Sequence, residues 1–211
     1  RGDYLLFVDS DNYLDADYVE QLYSKLTETN ADIAYCDLFN PEKEEFYLKS
    51  REFDLTAFLN ASFIDNCSLI RRSIIGNARY DEMLNRKKLE DYDFLLNLII
   101  NNGAKAVYQP STKLNYRVFE TGSISGRDSV RYHYEIYLDI LEKYLDKLPH
   151  EIYKAVCENL MVLEERLDSL LKHHDDVTDY VNRLKKERDQ LERSLKKERD
   201  QLERSLKKER D

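Results

Sequence analysis

The sequence lacks long apolar runs, an excess of positive charge and an even set of cysteines. No apolar stretch among the 211 residues approaches the ~20 residues that a membrane-spanning helix needs. The formal net charge is -9, so no overall basic field exists to attract nucleic acid, and we predict no nucleic-acid partner. Cys36, Cys67 and Cys157 are odd in number and show no CxxC spacing. That pattern is typical of reduced thiols in the cytoplasm.

Charged residues are abundant, and they are concentrated at one end of the chain. They make up 36% of the sequence, against roughly 25% in ordinary soluble domains, and the excess follows Asp179. The first residues lead directly into a strand pattern, and the last ones stop inside a repeat. We therefore expect the sequence to be a fragment, with one globular domain and a charged extension.

The opening of the chain predicts a strand, a loop, a helix and a second strand. Residues 4–8 form a continuous apolar run, which favours a strand covered on both faces, as in a parallel α/β sheet. Asp15 is a plausible helix N-cap before an amphipathic pattern. The apolar face of that helix is predicted to contain Val19, Leu22, Tyr23 and Leu26. Residues 33–38 then predict the next strand.

The middle of the chain alternates short strand and helix patterns. The predicted elements are a loop or hairpin at 39–51, a helix at 55–63, a strand at 67–70, a short helix around 73–76, a helix that begins at Glu90 and ends at Asn102-Gly103, strands at 106–108 and 114–118, and a polar loop at 120–127. These assignments predict an α/β fold with ligand-binding loops at one edge of the sheet.

The C-terminal part predicts helix throughout. Pro149 stands where a second helix would begin, and a polar turn is predicted at 173–176. The motif LKKERDQLERS then occurs at 184–194 and again at 195–205. Its leucines, at 184, 191, 195, 202 and 206, form one stripe, and an eleven-residue period favours a nearly straight or slightly right-handed supercoil. We therefore predict a coiled-coil-like tail that drives self-association.

Asp9 and Asp11 follow the first predicted strand, where open α/β sheets place their ligands. Two carboxylates two residues apart can reach one hard cation, which can bridge phosphates and stabilise a departing diphosphate. This DxD pattern also fits a solvated turn, a nucleotidyltransferase, or a phosphatase of the haloacid dehalogenase type, although Tyr13 departs from the phosphatase pattern. An EF-hand is excluded, because Leu14 stands where the calcium loop requires glycine.

Glu90 and Asp91 begin a predicted helix farther along the chain. Acidic residues stabilise the first turn of a helix through its dipole, so a structural role is one interpretation. The other interpretation is that Asp91 faces the sheet edge and acts as a general base, taking the proton of a hydroxyl that attacks a sugar carbon. Glu90 fits an orienting or structural role.

Three segments, in order, resemble family 2 glycosyltransferases of the GT-A fold. The first is GDYLLFVDSDNYLDADYVEQL at 2–22, the second joins RYDEML at 79–84 to LEDYDF at 89–94, and the third pairs Tyr116-Arg117 with GSIS at 122–125. The resemblance implies a partial, Rossmann-like GT-A mixed sheet over 1–127 that lacks the N-terminal nucleotide-binding half. A helical extension at 128–173 and the repeat helix at 174–211 would follow.

The resemblance also implies roles for individual residues. Asp11 matches the metal-binding aspartate, Asp9 the acid that helps to hold the metal or the donor ribose, and Asp91 the base of an inverting transfer. Arg117 would meet the donor diphosphate through charge-assisted hydrogen bonds, although surface packing explains it equally well. The implied cofactor is Mn²⁺ or Mg²⁺. No histidine matches a further metal ligand, and the QxxRW motif of processive synthases is absent.

The implied reaction moves a sugar from a nucleotide-sugar, with a UDP-sugar expected, to a hydroxyl of a glycan, lipid-linked or protein acceptor. Bacterial surface polysaccharide, teichoic acid and glycoprotein assembly are pathways of this kind. We expect the fragment to be inactive alone, and the parent to work in the cytoplasm or at the inner face of the membrane. The rival hypothesis is a non-catalytic scaffold with a degenerate GT-A domain, against which the intact Asp9, Asp11 and Asp91 argue.

Overall fold

The computed structural model describes residues 2–85, 87–118 and 130–208. The chain divides into two compact units, residues 1–159 and 160–211. The first unit contains a mixed β-sheet with its helices, and the second is helical. The predicted domain boundary at 127/128 and the predicted loop at 120–127 lie outside the described residues, whereas the predicted boundary at 173/174 falls inside a helix.

Six strands in the described part of the chain form one sheet. They are β1 (Tyr4–Leu6), β2 (Tyr13–Leu14), β3 (Ile33–Asn40), β4 (Glu45–Leu48), β5 (Leu69–Arg71) and β6 (Ala106–Asn115). Their order is β1-β5-β3-β6-β2, with β4 on β3. Only the β3–β6 pair is parallel, so the sheet is mixed and the predicted α/β class is confirmed.

The helices alternate with these strands and then follow them. They are α1 (Tyr18–Thr29), α2 (Leu55–Asn60), α3 (Arg72–Ile75), α4 (Glu90–Leu96), α5 (Val130–Glu142) and α6 (His150–Lys208). A π-helical turn, Asn97–Asn101, continues α4, and 3₁₀ turns cover Glu82–Leu84 and Leu145–Lys147. The end of the α4 segment at Gly103, with φ of 71°, is confirmed, because glycine adopts positive φ without steric cost.

Helix α1 packs on the sheet with half of the predicted face, Leu22 and Leu26. Tyr18, Leu22 and Leu26 are buried, whereas Val19 and Tyr23 are exposed. The helix begins after Asp17, which makes no side-chain cap bond, so the prediction of Asp15 as N-cap is wrong. The Tyr18 hydroxyl donates to the Cys67 carbonyl at 2.7 Å. This bond turns the first helical turn inward and the Val19 side outward.

Strand β1 differs from its prediction in burial and direction, and strand β6 differs in length. β1 is three residues long, half-buried and antiparallel to β5, so the prediction of a strand buried on both faces of a parallel sheet is wrong. β6 is one strand where two were predicted. Its pairing with β3 shifts between Tyr35/Tyr108 and Asp37/Lys113, and Pro110 lies in that irregular stretch. Proline cannot donate to a ladder and is found at such bulges.

Helix α6 runs through the position of the predicted polar turn. It begins directly after Pro149, as predicted, and continues past residues 173–176. That turn prediction is wrong, because the segment contains no glycine or proline and its polar residues are compatible with a helix. Within the described residues, no helix has both the length and the apolar character needed to cross a membrane.

Candidate active site

The loop between β1 and β2 holds Asp9 and Asp11 at the sheet edge. Both residues are exposed. The Asn12 amide N–H donates to the Asp9 carbonyl at 3.1 Å, which closes a turn around the two carboxylates. The Asn12 side-chain oxygen accepts from the Arg117 backbone N–H at 3.2 Å, and the Asn115 amide donates to Asp15 at 2.9 Å. The loop is thereby attached to the end of β6.

Strand pairing brings a third carboxylate, Asp65, next to this loop. In the antiparallel β1–β5 ladder Leu6 is opposite Leu69, so residues that precede β5 run alongside residues that follow β1. One Asp65 carboxylate oxygen accepts from the Cys67 backbone N–H at 2.8 Å. Although Asp9 as a whole is exposed, partial desolvation of its carboxylate, and then the negative charge of Asp11, raise the pKa of Asp9. Burial also raises the pKa of Asp65, and the charge of Asp9 adds to this effect.

Asp91 stands at the start of α4 and faces the same group of acids. Burial raises the pKa of Asp91 to about 6, and the charges of Asp65 and Glu90 add to this effect. The Tyr92 backbone N–H donates to the Asp91 carboxylate at 2.8 Å and acts in the opposite direction. A carboxylate with a pKa near neutrality is suited to accept a proton in a reaction at physiological pH.

Three aromatic rings connect the strand that leads to Asp9 with the helix that carries Asp91. Phe7 meets Tyr80 and Phe94 edge-on, with centroids 6.0 and 6.3 Å apart, and Tyr80 stacks on Phe94 at 4.6 Å. Such pairs contribute about 0.5–1.5 kcal/mol each beyond their buried area. They therefore hold the two carboxylate-bearing elements at a fixed separation.

A cavity of about 340 Å³ opens beside Asp91. The Tyr80 hydroxyl forms part of its wall and donates to the Asn66 side-chain oxygen at 2.8 Å. Its lining residues are Asn66, Tyr80, Asp81, Glu82, Asn85, Glu90 and Asp91. A larger and more open depression beside the π-helical turn has no ionisable lining residue. The 340 Å³ cavity, in contrast, has four carboxylates at its wall, and we refer to it as the acidic cavity.

The carboxylates at this edge suit a divalent cation that is shared with a substrate. Within the described residues, no three His, Cys, Asp or Glu side chains are arranged to hold a metal. Asp9 and Asp11 form a two-carboxylate donor set, exposed and close enough for the charge of Asp11 to raise the pKa of Asp9. Mg²⁺ is commonly bound by one or two carboxylates together with waters and substrate phosphates. The residues present fit that arrangement.

Sequence reasoning named Asp9, Asp11, Asp91 and Arg117, and it missed Asp65. The structure places Asp9 and Asp91 around Asp65, while the exposed Arg117 is next to the Asn12 turn. A role for Arg117 in holding phosphate stays a prediction. The signal that could have identified Asp65 is the antiparallel register of β5 against β1.

Residues 1–93 match the model of Glycosyl transferase family 2. This part of the chain is similar to family 2 glycosyltransferases. Over 69 residues, the chain is 35% identical to "Glycosyltransferase GlyA" of Streptococcus pneumoniae serotype 4, an alignment that covers 31% of this chain and 10% of that protein. Asp9, Asp65 and Asp91 all lie within the family 2 segment.

Two solved structures show that the chain has part of a GT-A fold. The crystal structure of S. aureus TarS 1–349 aligns with a TM-score of 0.52 and 16% identity, over 76% of this chain and 46% of that one. The crystal structure of the same TarS region in complex with UDP-GlcNAc aligns with a TM-score of 0.54 and 14% identity, over 76% and 48%. The chain thus spans about half the length of these crystallised regions.

Proposed function

We propose that the protein is a glycosyltransferase that moves a sugar from a UDP-sugar to a hydroxyl acceptor with inversion at the anomeric carbon. The observation that carries the proposal is the placement of Asp91 at the start of α4, in the wall of the acidic cavity and close enough to Asp65 for the charge of Asp65 to raise its pKa. Asp91 is a half-buried base with a pKa of about 6, and the charge of Asp65 acts on it. The charge of Asp9, one of the two exposed carboxylates that suit a cation, acts in turn on Asp65. The family 2 match of residues 1–93 agrees with this division of roles.

Asp91 would perform the proton transfer of the reaction. It accepts the proton of the acceptor hydroxyl while that oxygen forms a bond to the anomeric carbon. The bond from that carbon to the diphosphate oxygen breaks, and the diphosphate leaves with the electron pair. A single displacement of this kind inverts the configuration. The Tyr92 N–H bond to the carboxylate fixes the orientation of the base.

Asp9 and Asp11 would hold Mn²⁺ or Mg²⁺ at the donor diphosphate. The bound ion would neutralise charge on the departing diphosphate. Their repulsion, evident in the raised pKa of Asp9, would be relieved by the cation. UDP-GlcNAc is bound in the TarS complex, which supports a UDP-sugar as the donor for this chain. Arg117, beside the Asn12 turn, would add a cation for the same diphosphate.

The test is a radiolabel transfer assay with UDP-GlcNAc and Mn²⁺ on two proteins, the 211-residue chain and a longer protein that includes any preceding coding sequence. We expect transfer by the longer protein and none by the 211-residue chain, because the chain spans only about half of the TarS regions with which it aligns. No release of UDP from either protein, with any UDP-sugar of a standard panel, would refute the proposed function.

We further propose that the second unit mediates self-association. The described side chains of α6 leave an apolar stripe exposed, formed by Val177, Tyr180, Val181, Leu184, Leu191 and Leu195. The side chains of Leu202 and Leu206 lie outside the description. A narrow apolar stripe on a helix needs a partner to be stable in water. This observation also supports the scaffold hypothesis as an additional role, and not as a replacement for catalysis.

The phosphatase hypothesis has no support from the comparisons, since the DxD segment lies within the family 2 match. Cys36, Cys67 and Cys157 are all free, and the first two are buried. Free thiols are the usual state in a reducing compartment. We therefore propose that the parent enzyme works in the cytoplasm or at the inner face of the membrane.

A further inference from the structure

An exposed pair of stacked tyrosines forms a ledge beside the carboxylates. The ring of Tyr47, in β4, stacks on the ring of Tyr116 with centroids 4.8 Å apart and planes inclined by 23°. Tyr116 is half-buried, whereas 54% of Tyr47 is exposed. One face of Tyr47 is therefore covered by Tyr116, and much of the rest of the side chain faces solvent.

The ledge is attached to the elements that form the active site. The Tyr116 backbone N–H donates to the Phe39 carbonyl at 2.8 Å, and the next residue, Arg117, donates to Asn12 in the metal loop. Burial and the neighbouring Tyr47 raise the pKa of Tyr116 to about 12, and the charges of Asp65, Asp9 and Asp11 add to this effect. Tyr116, the less exposed ring of the ledge, is thus close to the carboxylates of Asp9, Asp11 and Asp65.

The opposite face of the same hairpin provides a contrast. Phe46 meets Phe39 edge-on, with centroids 5.5 Å apart. The ammonium group of Lys49 lies 4.7 Å from the centre of the Phe46 ring, and that of Lys113 lies 3.5 Å from the centre of the Phe39 ring. The Phe46 pair is therefore engaged by cations of the chain itself, whereas the Tyr47 pair presents an aromatic face at the edge of the acidic site.

We propose that Tyr47 and Tyr116 form a subsite that stacks a pyranose ring of the acceptor glycan. This inference rests on the proposed function. The C–H face of a pyranose is apolar and slightly positive, so it complements the negative face of an aromatic ring, while the sugar hydroxyls stay hydrated at the ring edge. An exposed, stacked tyrosine pair presents such a face at little cost in conformational entropy.

The position of the ledge favours the acceptor over the donor sugar. The donor sugar is one ring attached directly to the diphosphate, so its anomeric carbon must lie between the Asp9 loop and the base, Asp91. A residue that is 54% exposed at the rim contacts a part of the substrate that projects from the site. An acceptor glycan extends over several rings and can reach that rim while one of its hydroxyls points toward Asp91.

Saturation-transfer NMR on the 211-residue chain tests the subsite without requiring turnover. The probes are lactose, cellobiose and chitobiose, each at millimolar concentration. We expect saturation of the ring C–H protons of at least one disaccharide with the unsubstituted chain and with Tyr47→Phe. With Tyr47→Ala we expect binding weakened about 3- to 10-fold. Phe46→Ala is the matched control, and it should leave binding unchanged.

Three results would overturn the subsite. They are no saturation of any of the three disaccharides, equal binding by Tyr47→Ala and the unsubstituted chain, or displacement of the disaccharide by UDP-GlcNAc with Mn²⁺, which would assign the ledge to the donor. The transfer assay tests the proposed function separately. If the enzyme transfers sugar but no disaccharide binds at Tyr47, the subsite is refuted and the proposed function stands. If a disaccharide binds at Tyr47 but no sugar is transferred, the proposed reaction and its acceptor are refuted.

Discussion

Lys143 neutralises Asp93, a buried carboxylate two residues after Asp91 on the same helix. The Lys143 ammonium lies 3.2 Å from the Asp93 carboxylate, and it also forms an ion pair with Asp81. The Tyr144 hydroxyl donates to the same Asp93 oxygen at 2.9 Å. Asp93 is therefore partnered by two residues that directly follow α5, whereas the charges that act on Asp91 are those of other acids. Helix α4 therefore contains one carboxylate with a structural role, Asp93, and one that is available for chemistry, Asp91.

Substitution of these two aspartates is expected to change stability in opposite directions. Asp93→Asn removes the charge that Lys143 and Tyr144 engage, so we expect the free energy of unfolding to fall by about 1–3 kcal/mol. Asp91→Asn keeps an oxygen for the Tyr92 N–H and removes a charge that burial disfavours. We expect it to raise the free energy of unfolding at pH 7.5 by about 1–3 kcal/mol. Urea titrations of both variants measure the two effects, and a loss of stability in Asp91→Asn would contradict the account.

The pH dependence of stability gives an independent check on Asp91. Its pKa is raised in the folded protein to about 6, so folding binds protons at mildly acidic pH. The contribution of Asp91 to the free energy of unfolding of the metal-free chain should be greatest below about pH 4. It should decrease as the pH rises through about 6. In Asp91→Asn this decrease should be smaller. Identical slopes in both proteins between pH 4 and 7 would show that Asp91 does not titrate as described.

Loss of the base should slow transfer without loss of the donor. In an active enzyme that contains this chain, Asp91→Asn is expected to lower kcat by about 10²–10⁴-fold. UDP-GlcNAc affinity, measured by calorimetry, should stay within about twofold, since a fold-change that small corresponds to less than 0.5 kcal/mol. With the unsubstituted enzyme, kcat/KM should fall as the pH drops below about 6, because the base must be ionised. Near-normal turnover by Asp91→Asn would show that Asp91 is not the base and only stabilises the start of the helix.

Removal of the metal should abolish transfer reversibly. EDTA should reduce turnover to background, and Mn²⁺ or Mg²⁺ should restore it. Asp11→Ala should be inactive and remain folded, because Asp11 is exposed. Asp17→Ala is the matched control: Asp17 is also exposed, but its carboxylate accepts a hydrogen bond from Gln21 of α1 and none from the loop is described. Full activity in EDTA would refute the metal assignment.

The apolar stripe of α6 should control the oligomeric state. We expect the chain to sediment as an oligomer at micromolar concentration, and truncation after residue 176 to give a monomer. Leu184→Glu with Leu191→Glu should have the same effect, because both leucines are exposed on the stripe. The control is Lys185→Glu with Gln190→Glu, at exposed positions of the same helix. If all of these proteins sediment as monomers, the repeat does not mediate self-association and serves as a spacer.

The sequence was sufficient to predict the elements where a periodic pattern and a terminating residue coincided. Strand β3, the start of α4 at Glu90 and its end at Gly103 are confirmed. On α1, Leu22 and Leu26 are buried as predicted, but Val19 and Tyr23 are exposed, because Tyr18, which is hydrogen-bonded to a residue 49 positions away, packs inward in their place. Local periodicity carries no information about a contact at that sequence distance.

The missing part of the candidate site has the same explanation. Asp9 and Asp91 were identifiable because each stands at the end of a local pattern. Asp65 stands in a short segment before β5, and its place beside Asp9 depends on which strand β5 pairs with and in which direction. Strand partners and register are tertiary properties, so a single sequence leaves them open.

The repeat of α6 allows the helix to change in length by whole units. Two copies of LKKERDQLERS are identical over all eleven residues. Eleven residues at about 100° each rotate a helix by three full turns and only about 20° more. Gain or loss of one whole copy therefore lengthens or shortens the helix by about 16 Å with little change in the direction of the leucine stripe. A change of one or two residues would instead turn the stripe by about 100° or 200°.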